Sequence, residues 1–95
     1  MNSVLVHLSG HLSDYTNKKR DFTLKTTPTV VDLVYSLNEM FPGIRDRILD
    51  DHDRPREYVN IFVNGQNVRD GDAERTRLKD GDEIYILPSI AGGLK

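Results

Sequence analysis

The segment Val59-Asn60-Ile61-Phe62-Val63-Asn64-Gly65 decides the fold class of this 95-residue chain. Its β-branched apolar residues recur at every second position, and this period of two is typical of a β-strand with one buried face. The Asn-Gly dipeptide that closes the segment favours a tight hairpin turn, because both residues tolerate positive φ angles. The segment therefore predicts a strand over Tyr58–Asn64 and a turn at Asn64-Gly65, after which a short strand over Gln66–Arg69 pairs back.

Two further strands are predicted before this segment and one after it. Val4, Val6 and Leu8 alternate with Ser3, Leu5 and His7, and Phe22 and Leu24 alternate with Thr23 and Lys25. The polar segment Ser9–Lys19 separates these two patterns, so together they predict an opening β-hairpin. Downstream, Lys79–Asp82 is typical of a turn, and Glu83–Leu87 is predicted to be the last strand, with Pro88 marking its end.

One amphipathic helix is predicted between the opening hairpin and the strand at 58–64. The tetrapeptide Thr29-Val30-Val31-Asp32 has the form of a capping box in which Asp replaces the usual Glu or Gln. Apolar residues follow at helical spacing, namely Val30, Leu33, Val34, Leu37 and Met40 or Phe41. Pro42-Gly43 ends the helix, since proline cannot continue the hydrogen-bond ladder. A short second helical segment is indicated by Ile44, Ile48 and Leu49, and the charged stretch Asp50–Arg56 indicates a loop.

This order of elements predicts an α+β fold in which one main helix covers one face of a mixed sheet of four to five strands. A right-handed crossover from the opening hairpin brings the last strand beside the first. The arrangement is the β-grasp, or ubiquitin-like, architecture. We expect residues 1–88 to form the β-grasp domain and residues 89–95 to form a flexible C-terminal tail that contains the Gly-Gly pair.

Three segments of the chain form a recognisable combination. They are VNIFVNG at residues 59–65, LKDGDEI at residues 78–84 and ILPSIAGG at residues 86–93. In their order and spacing they resemble the small sulfur-carrier proteins of the MoaD/ThiS family, and a looser likeness extends over almost the whole chain. The last segment resembles the carriers used in the biosynthesis of cysteine and of sulfur-containing siderophores more than it resembles the molybdopterin-synthase subunit.

The resemblance implies a carrier protein and not an enzyme. In this family an adenylating enzyme related to ubiquitin-activating enzymes uses ATP to convert the C-terminal glycine carboxylate into an acyl-adenylate. A sulfur donor then displaces AMP and leaves a thiocarboxylate, which a sulfur-accepting biosynthetic enzyme consumes. Carried over to this sequence, Gly93 bears the adenylate and then the sulfur, while Gly92 and Ala91 thread into the partners' active-site channels. The resemblance implies no cofactor bound to the carrier itself.

The sequence departs from the family pattern after Gly93, because Leu94 and Lys95 follow it. The Gly93 carboxyl group is then held in a peptide bond and cannot be adenylated. Some relatives also carry a short extension, which a zinc metalloprotease of the JAMM deubiquitinase type removes. The resemblance therefore implies a processing site between Gly93 and Leu94. The alternative interpretation is that Leu94-Lys95 is the remnant of a fusion.

The strand alternation also predicts a surface for partners. The residues expected to face the helix are Val59, Ile61, Val63, Ile84 and Ile86. Phe62, Tyr85 and Leu87 then lie on the opposite face of the sheet, where the chain offers nothing to cover them. With Ile90 they are predicted to form an apolar partner-binding patch beside the tail. The alternative is that these side chains only pack among themselves on a partly hydrated face.

Composition excludes several other classes of function. The 13 Lys and Arg residues are interspersed with 15 Asp and Glu residues, so the net charge of -2 gives no long-range attraction for nucleic acid. The chain has no Cys, which excludes disulfides and thiolate metal sites. No metal site is predicted at His7 and His11, because a spacing of four at the end of a strand does not place them on one face. No apolar run approaches the roughly 20 residues that span a bilayer, so we expect a soluble, cytoplasmic protein with no membrane partner.

Two other functions stay open on the sequence alone. A ubiquitin-like modifier, conjugated through Gly93 to lysines of other proteins, would use the same activated tail. A β-grasp interaction module would not use the tail, and a Gly-Gly pair at a chain end does not exclude it, because chain ends often fray without a role.

Overall fold

The computed structural model describes residues 2–68 and 76–88, which form a five-stranded mixed sheet with helices packed on one face. The strands are β1 (Ser3–Leu8), β2 (Asp21–Lys25), β3 (Val59–Val63), β4 (Gln66–Asn67) and β5 (Glu83–Pro88), and the helices are α1 (Val30–Met40), α2 (Ile44–Ile48) and a 3₁₀ helix (Gly10–Thr16). The spatial order of the strands is β2-β1-β5-β3-β4. β1 and β5 run parallel, and the other neighbouring strands are antiparallel. The predicted α+β, β-grasp arrangement is confirmed, including the position of the last strand beside the first.

The hydrophobic core lies between the sheet and α1. Every second residue of the central strands is buried, and α1 buries one apolar stripe: Val4, Val6, Leu8, Val59, Ile61, Ile84 and Ile86 from the strands meet Val30, Leu33, Val34 and Leu37 from the helix. At the C-terminal end of α1, Met40 is 49% exposed, whereas Phe41 packs against the core with its ring 5.3 Å from that of Phe22. The helical pattern allowed either Met40 or Phe41 to face the core, and in the structure Phe41 does.

The N-terminus of α1 is capped by Thr29, as the sequence predicts. Thr29 Oγ1 accepts a hydrogen bond from the Asp32 backbone N–H at 3.2 Å. The Asp32 carboxylate accepts the Thr29 hydroxyl proton at 3.0 Å. A complete capping box would instead direct the acidic side chain to the backbone N–H of the capping residue. Because Asp is one methylene shorter than Glu, its carboxylate stops at the hydroxyl group.

Helix α2 is held to α1 and to the following loop by two polar side chains. Asn38 Oδ1 accepts hydrogen bonds from the backbone N–H groups of Gly43 and Arg45, at 2.9 and 3.1 Å, and so ties the first turn of α2 to α1. The Arg45 guanidinium donates to Asp53 at 2.6 Å and to the carbonyl of Asp50 at 2.9 Å. The predicted loop over 50–56 is therefore anchored to α2, and Asp51 and Arg54 in it are exposed, whereas Asp53 is partly buried.

The connection between β1 and β2 is more structured than its polar sequence predicts. Residues Gly10–Thr16 form a 3₁₀ helix that buries Leu12, Ser13 and Thr16. The Ser13 hydroxyl donates to the Gly10 carbonyl at 2.9 Å, and the Thr16 hydroxyl donates to the Ser13 carbonyl at 3.0 Å. These local hydrogen bonds allow the two polar side chains to be buried together with Leu12.

The turn at Asn64-Gly65 and the turn at Lys79–Asp82 are joined by the side chains of Asn64 and Asp82. Asn64 Nδ2 donates to Asp82 Oδ1 at 2.9 Å, and Asn64 Oδ1 accepts from the Glu83 backbone N–H at 3.0 Å. The other Asp82 oxygen accepts from the Lys79 backbone N–H at 2.8 Å, and Asp82 is only 6% exposed. Asn64 has φ 50° and Gly65 has φ 89°, as the predicted Asn-Gly turn requires. Asn64 and Asp82 therefore have a structural role.

Among residues 2–68 and 76–88, no helix is long and apolar enough to cross a membrane. β5 ends at Pro88, which is the last residue of the predicted β-grasp domain. Ile90, Ala91, Gly92, Gly93 and Leu94 lie outside the described residues, as does Arg69 at the end of the predicted short strand.

Two leucines of β1 test which face of the sheet carries the core. Leu8 is 2% exposed and Leu5 is 42% exposed. We expect Leu8→Ala to lower the free energy of unfolding by about 2–5 kcal/mol, because it leaves a cavity under α1. The matched change Leu5→Ala should cost less than about 1 kcal/mol. Urea denaturation of both variants measures the difference, and equal losses would contradict the assigned faces.

Candidate functional site

The sheet face opposite α1 carries a row of four side chains, one from each of four neighbouring strands. The pairing register places Asp21 of β2 opposite His7 of β1, His7 opposite Tyr85 of β5, and Tyr85 opposite Phe62 of β3. Residues paired across a sheet share a face, and this is the face that the buried residues leave free. We call this surface the open face, and it comprises Leu5, His7, Asp21, Phe62, Glu83, Tyr85 and Leu87.

The apolar part of the open face is partly accessible to solvent. Tyr85 is 39% exposed and Leu5 is 42% exposed, while Phe62 and Leu87 are half-buried. Large apolar side chains at this degree of exposure, grouped on one side of a sheet, are typical of a surface that another protein covers. The predicted positions of Phe62, Tyr85 and Leu87 on the face opposite α1 are confirmed, and their role in binding stays a prediction.

His7 lies at the centre of the open face, between two carboxylates. His7 Nδ1 is 2.7 Å from Asp21 Oδ1, and His7 Nε2 is 3.0 Å from Glu83 Oε2. The imidazole ring stacks on Tyr85, with a distance of 4.4 Å between the ring centroids and an interplanar angle of 22°. In the protonated form both ring nitrogens donate, so the imidazolium satisfies both carboxylates at once.

The two carboxylates raise the pKa of His7 above its ordinary value of 6.5. The hydrogen bond to Asp21 is the largest cause, and the bond to Glu83 adds to it, while partial burial of the ring opposes both. A positive charge on His7 is therefore stabilised in the folded chain. The charge of the open face therefore depends on the protonation of His7, whose pKa lies above its ordinary value.

The two histidines considered together from the sequence lie in different places. His7 belongs to the open face, whereas His11 belongs to the 3₁₀ helix and lines a cavity together with Asp14, Tyr15 and Arg47. Sequence reasoning considered His7 only as a possible metal ligand and missed its position in the row. The available signal was the alternation in β1, which places Leu5 and His7 on the face opposite Val4 and Val6.

The end of β5, where the chain leaves the sheet, is held by a close contact between the Gly10 backbone and the Pro88 ring. A Cβ atom added to Gly10 would lie 2.6 Å from Pro88 Cγ, and Gly10 has φ +64°. Only glycine accommodates both the contact and the positive φ without strain. The start of the 3₁₀ helix is thus packed against the last residue of β5, from which residues 89–95 continue.

Comparison with known proteins identifies the family. Residues 6–93 match the sequence model of the ThiS family. This chain belongs to the ThiS family. The match begins in β1 and extends to the second glycine of the Gly-Gly pair.

Similar proteins are named as carriers and as modifiers. The sulfur carrier protein CysO of Mycobacterium tuberculosis is 34% identical over 67 residues, which cover 68% of this chain and 72% of CysO. The small archaeal modifier protein 3 of Haloferax volcanii is 35% identical over 65 residues, which cover 68% of this chain and 70% of the modifier. This ThiS family member is therefore similar to proteins named as a sulfur carrier and as a small modifier.

The fold is also similar to that of a protein whose structure has been solved in a complex. The crystal structure of the BexX/CysO complex of Amycolatopsis orientalis contains a chain that superposes with a TM-score of 0.79 at 28% identity, covering 95% of this chain and 99% of that chain. The similarity extends over the β-grasp domain as a whole, and in that structure the similar protein is found with a partner.

The His7 cluster predicts a pH dependence of stability. Because the pKa of His7 is raised by folding, the protonated ring stabilises the fold fully below the unfolded value of 6.5 and loses this effect as the pH rises through the folded value. Urea denaturation at about pH 5.5 and about pH 8.5 should show a larger loss of stability for the wild type than for His7→Gln.

The exposed loop residue His52 provides the matched control for this measurement. His52→Gln should retain the pH dependence of the wild type. If His7→Gln retained it as well, the two carboxylates would not be stabilising the imidazolium.

Proposed function

We propose that this protein is a sulfur carrier whose Gly93 carboxylate, once free, is adenylated and converted into a thiocarboxylate. In the first step the carboxylate oxygen attacks the α-phosphorus of ATP on the adenylating enzyme, which forms the acyl-adenylate and releases pyrophosphate. In the second step hydrosulfide attacks the Gly93 carbonyl carbon, AMP leaves, and loss of the S–H proton gives the thiocarboxylate. The carrier supplies the carboxylate, and the partner enzyme binds ATP and provides the catalytic groups.

The observation that carries this proposal is the ThiS family match over residues 6–93. It covers residues 6–88 of the predicted β-grasp domain and extends to Gly93, the residue that would carry the sulfur. The two relatives at 34% and 35% identity, a sulfur carrier and a small modifier, support the same use of the tail. Glycine suits this position because no Cβ shields its carbonyl group from attack.

Removal of Leu94-Lys95 must precede adenylation in this proposal. As long as the Gly93 carbonyl belongs to a peptide bond, there is no carboxylate oxygen to attack ATP. We assign the cleavage between Gly93 and Leu94 to a JAMM-type metalloprotease, whose metal-bound water would hydrolyse the peptide bond. Gly92 and Ala91 would let the tail enter the narrow active sites of both the protease and the adenylating enzyme.

The open face is the surface proposed to bind the adenylating enzyme. Phe62 of β3 and Tyr85 and Leu87 of β5 provide a partly exposed apolar patch, and Ile90, in the tail that follows β5, would extend it. The Amycolatopsis orientalis complex supports the view that a carrier of this fold also meets a second partner, which we propose to be a sulfur-accepting biosynthetic enzyme.

The processing step is tested by comparing two chain lengths. A chain ending at Gly93 should support ATP–pyrophosphate exchange by the adenylating enzyme of the same organism, whereas the chain of residues 1–95 should not, because its Gly93 carboxylate is blocked. With sulfide added, the mass of the shorter chain should rise by about 16 Da as one oxygen is replaced by sulfur. Equal exchange by both chains would disprove the requirement for processing.

The binding surface is tested by Phe62→Ala. We expect affinity for the adenylating enzyme to fall by about tenfold, since a half-buried aromatic side chain in an apolar patch is a typical binding hot spot. Met40→Ala is the matched control, because Met40 is 49% exposed on α1, away from the open face. Isothermal titration calorimetry measures both affinities, and thermal unfolding shows whether each variant is folded. An unchanged affinity for Phe62→Ala would remove this residue from the interface.

The similarity to the small archaeal modifier protein 3 supports a second candidate function. In that case the activated Gly93 carbonyl would be attacked by a lysine amine of another protein and would form an isopeptide bond. Mass spectrometry of cell extracts distinguishes the two. Gly93 linked to lysine side chains indicates the modifier, and a free Gly93 thiocarboxylate indicates the carrier.

A further inference from the structure

Two arginines beside the end of β5 form a positively charged groove. A cavity of about 410 Å³, open to solvent, is lined by Tyr15, Gly43, Asp46, Arg47, Arg56 and Tyr58. A smaller cavity of about 160 Å³ shares Arg47 and Tyr58 with it and also includes Pro88. We call Tyr15, Arg47, Arg56 and Tyr58 the arginine groove. It is continuous with the point from which residues 89–95 extend.

Both guanidinium groups are held in place through one nitrogen each. Arg47 Nε donates to the Tyr15 hydroxyl oxygen, and the guanidinium lies 5.8 Å from the centre of the Tyr15 ring. Arg56 Nε donates to the Asp46 carbonyl oxygen at 2.6 Å. Within residues 2–68 and 76–88, neither arginine makes a hydrogen bond or ion pair through its terminal Nη atoms. The side chains are thus oriented, while their Nη atoms are available to a ligand.

The acidic residues that line these cavities already have basic partners. Asp46 accepts a hydrogen bond from Arg45 Nη1 at 2.8 Å. Asp14, which lines the adjacent cavity with Tyr15 and Arg47, is 2.7 Å from Lys18 Nζ. Asp46 attracts Arg47 only at longer range, and the ion pairs of Asp14 and Asp46 in the described residues are with Lys18 and Arg45. An oriented guanidinium with free Nη atoms matches the two oxygens of a carboxylate, which it can bind with two parallel hydrogen bonds.

We propose that the arginine groove is a second docking site, which binds an acidic segment of the protein that receives the tail. The inference rests on the proposed function for the identity of that protein, and it adds the chemistry of the contact. Any enzyme that takes Gly93 into its active site must approach the end of β5, and the groove lies beside that end. Asp or Glu side chains at the entrance of the enzyme's channel would pair with Arg47 and Arg56 and position the domain for tail entry.

The first test uses the isolated protein and needs no partner enzyme. In an NMR titration with a blocked tetraglutamate peptide, the side-chain Nε–H signals of Arg47 and Arg56 should shift in a saturable way. Arg20 and Arg54, which are also exposed, serve as internal controls. Arg47→Lys keeps the charge but loses the planar guanidinium, and Tyr15→Phe loses the oxygen that holds Nε, so both should weaken binding. Shifts no larger than those of Arg20 and Arg54, or tighter binding of inorganic phosphate than of the peptide, would overturn the proposal.

The second test uses the chain ending at Gly93 and the adenylating enzyme of the same organism. The double variant Arg47→Gln/Arg56→Gln should lower kcat/KM for pyrophosphate exchange by about tenfold at low salt, with kcat unchanged, and the difference should shrink as salt is added. Arg20→Gln/Arg54→Gln makes the same change in net charge elsewhere and should match the wild type. Equal effects of the two double variants would overturn the proposal. If the wild type showed no exchange, the proposed function would fail, and the peptide titration would still decide whether the groove binds carboxylates.

Discussion

The parallel pairing of β1 with β5 is the constraint on which the rest of the structure depends. Leu5 pairs with Glu83 and Leu8 with Ile86, so the N-terminal and C-terminal strands form the middle of the sheet. Parallel neighbours cannot be joined by a tight turn and need a long crossover connection. That crossover contains α1, whose apolar stripe closes the core over Val6 and Ile84, both 0% exposed. Neither half of the chain can form the centre of the sheet alone. β1 and β5 each have a hydrogen-bonded neighbour on both edges only when the two halves are paired.

The central position of β5 determines how the tail is presented. β5 is hydrogen-bonded to β1 on one side and to β3 on the other, and at its end Pro88 is packed against Gly10. The base of the tail therefore belongs to the centre of the sheet, where a strand paired on both edges makes local opening costly. A carrier benefits from this arrangement, because a fixed base limits the directions in which five residues can reach a partner's active site.

Strands and the main helix could be predicted from the sequence because their hydrophobic periods are local. The pattern at 58–64 gives β3 to within one residue at each end, and Asn64-Gly65 gives the turn that follows. The 3₁₀ helix could not be predicted in this way, since Leu12 is a single apolar residue in a polar segment and forms no period. The hydrogen bonds of His7 to Asp21 and Glu83 join residues that are 14 and 76 positions apart in the chain. They therefore follow from the pairing register and not from local sequence. The expected chemistry at Gly93 came from the family resemblance alone.

An apolar patch by itself is a poor means of orienting a partner. Burial of Phe62, Tyr85 and Leu87 in the proposed interface would give affinity, but the hydrophobic effect has no direction, and rotations of the docked domain would bury similar areas. Charged groups remove this freedom, because they fix the register of an interface more than they add to its strength. The chain has such groups at two separate places, the carboxylates around His7 on the open face and the guanidinium groups of Arg47 and Arg56 beside Pro88.

From Pro88 to Gly93, a fully extended tail would span at most roughly 17 Å. A domain rotated away from its correct orientation would move the base of the tail beyond that distance, so a short tail requires the orientation that charged groups at two separate places on the domain can provide.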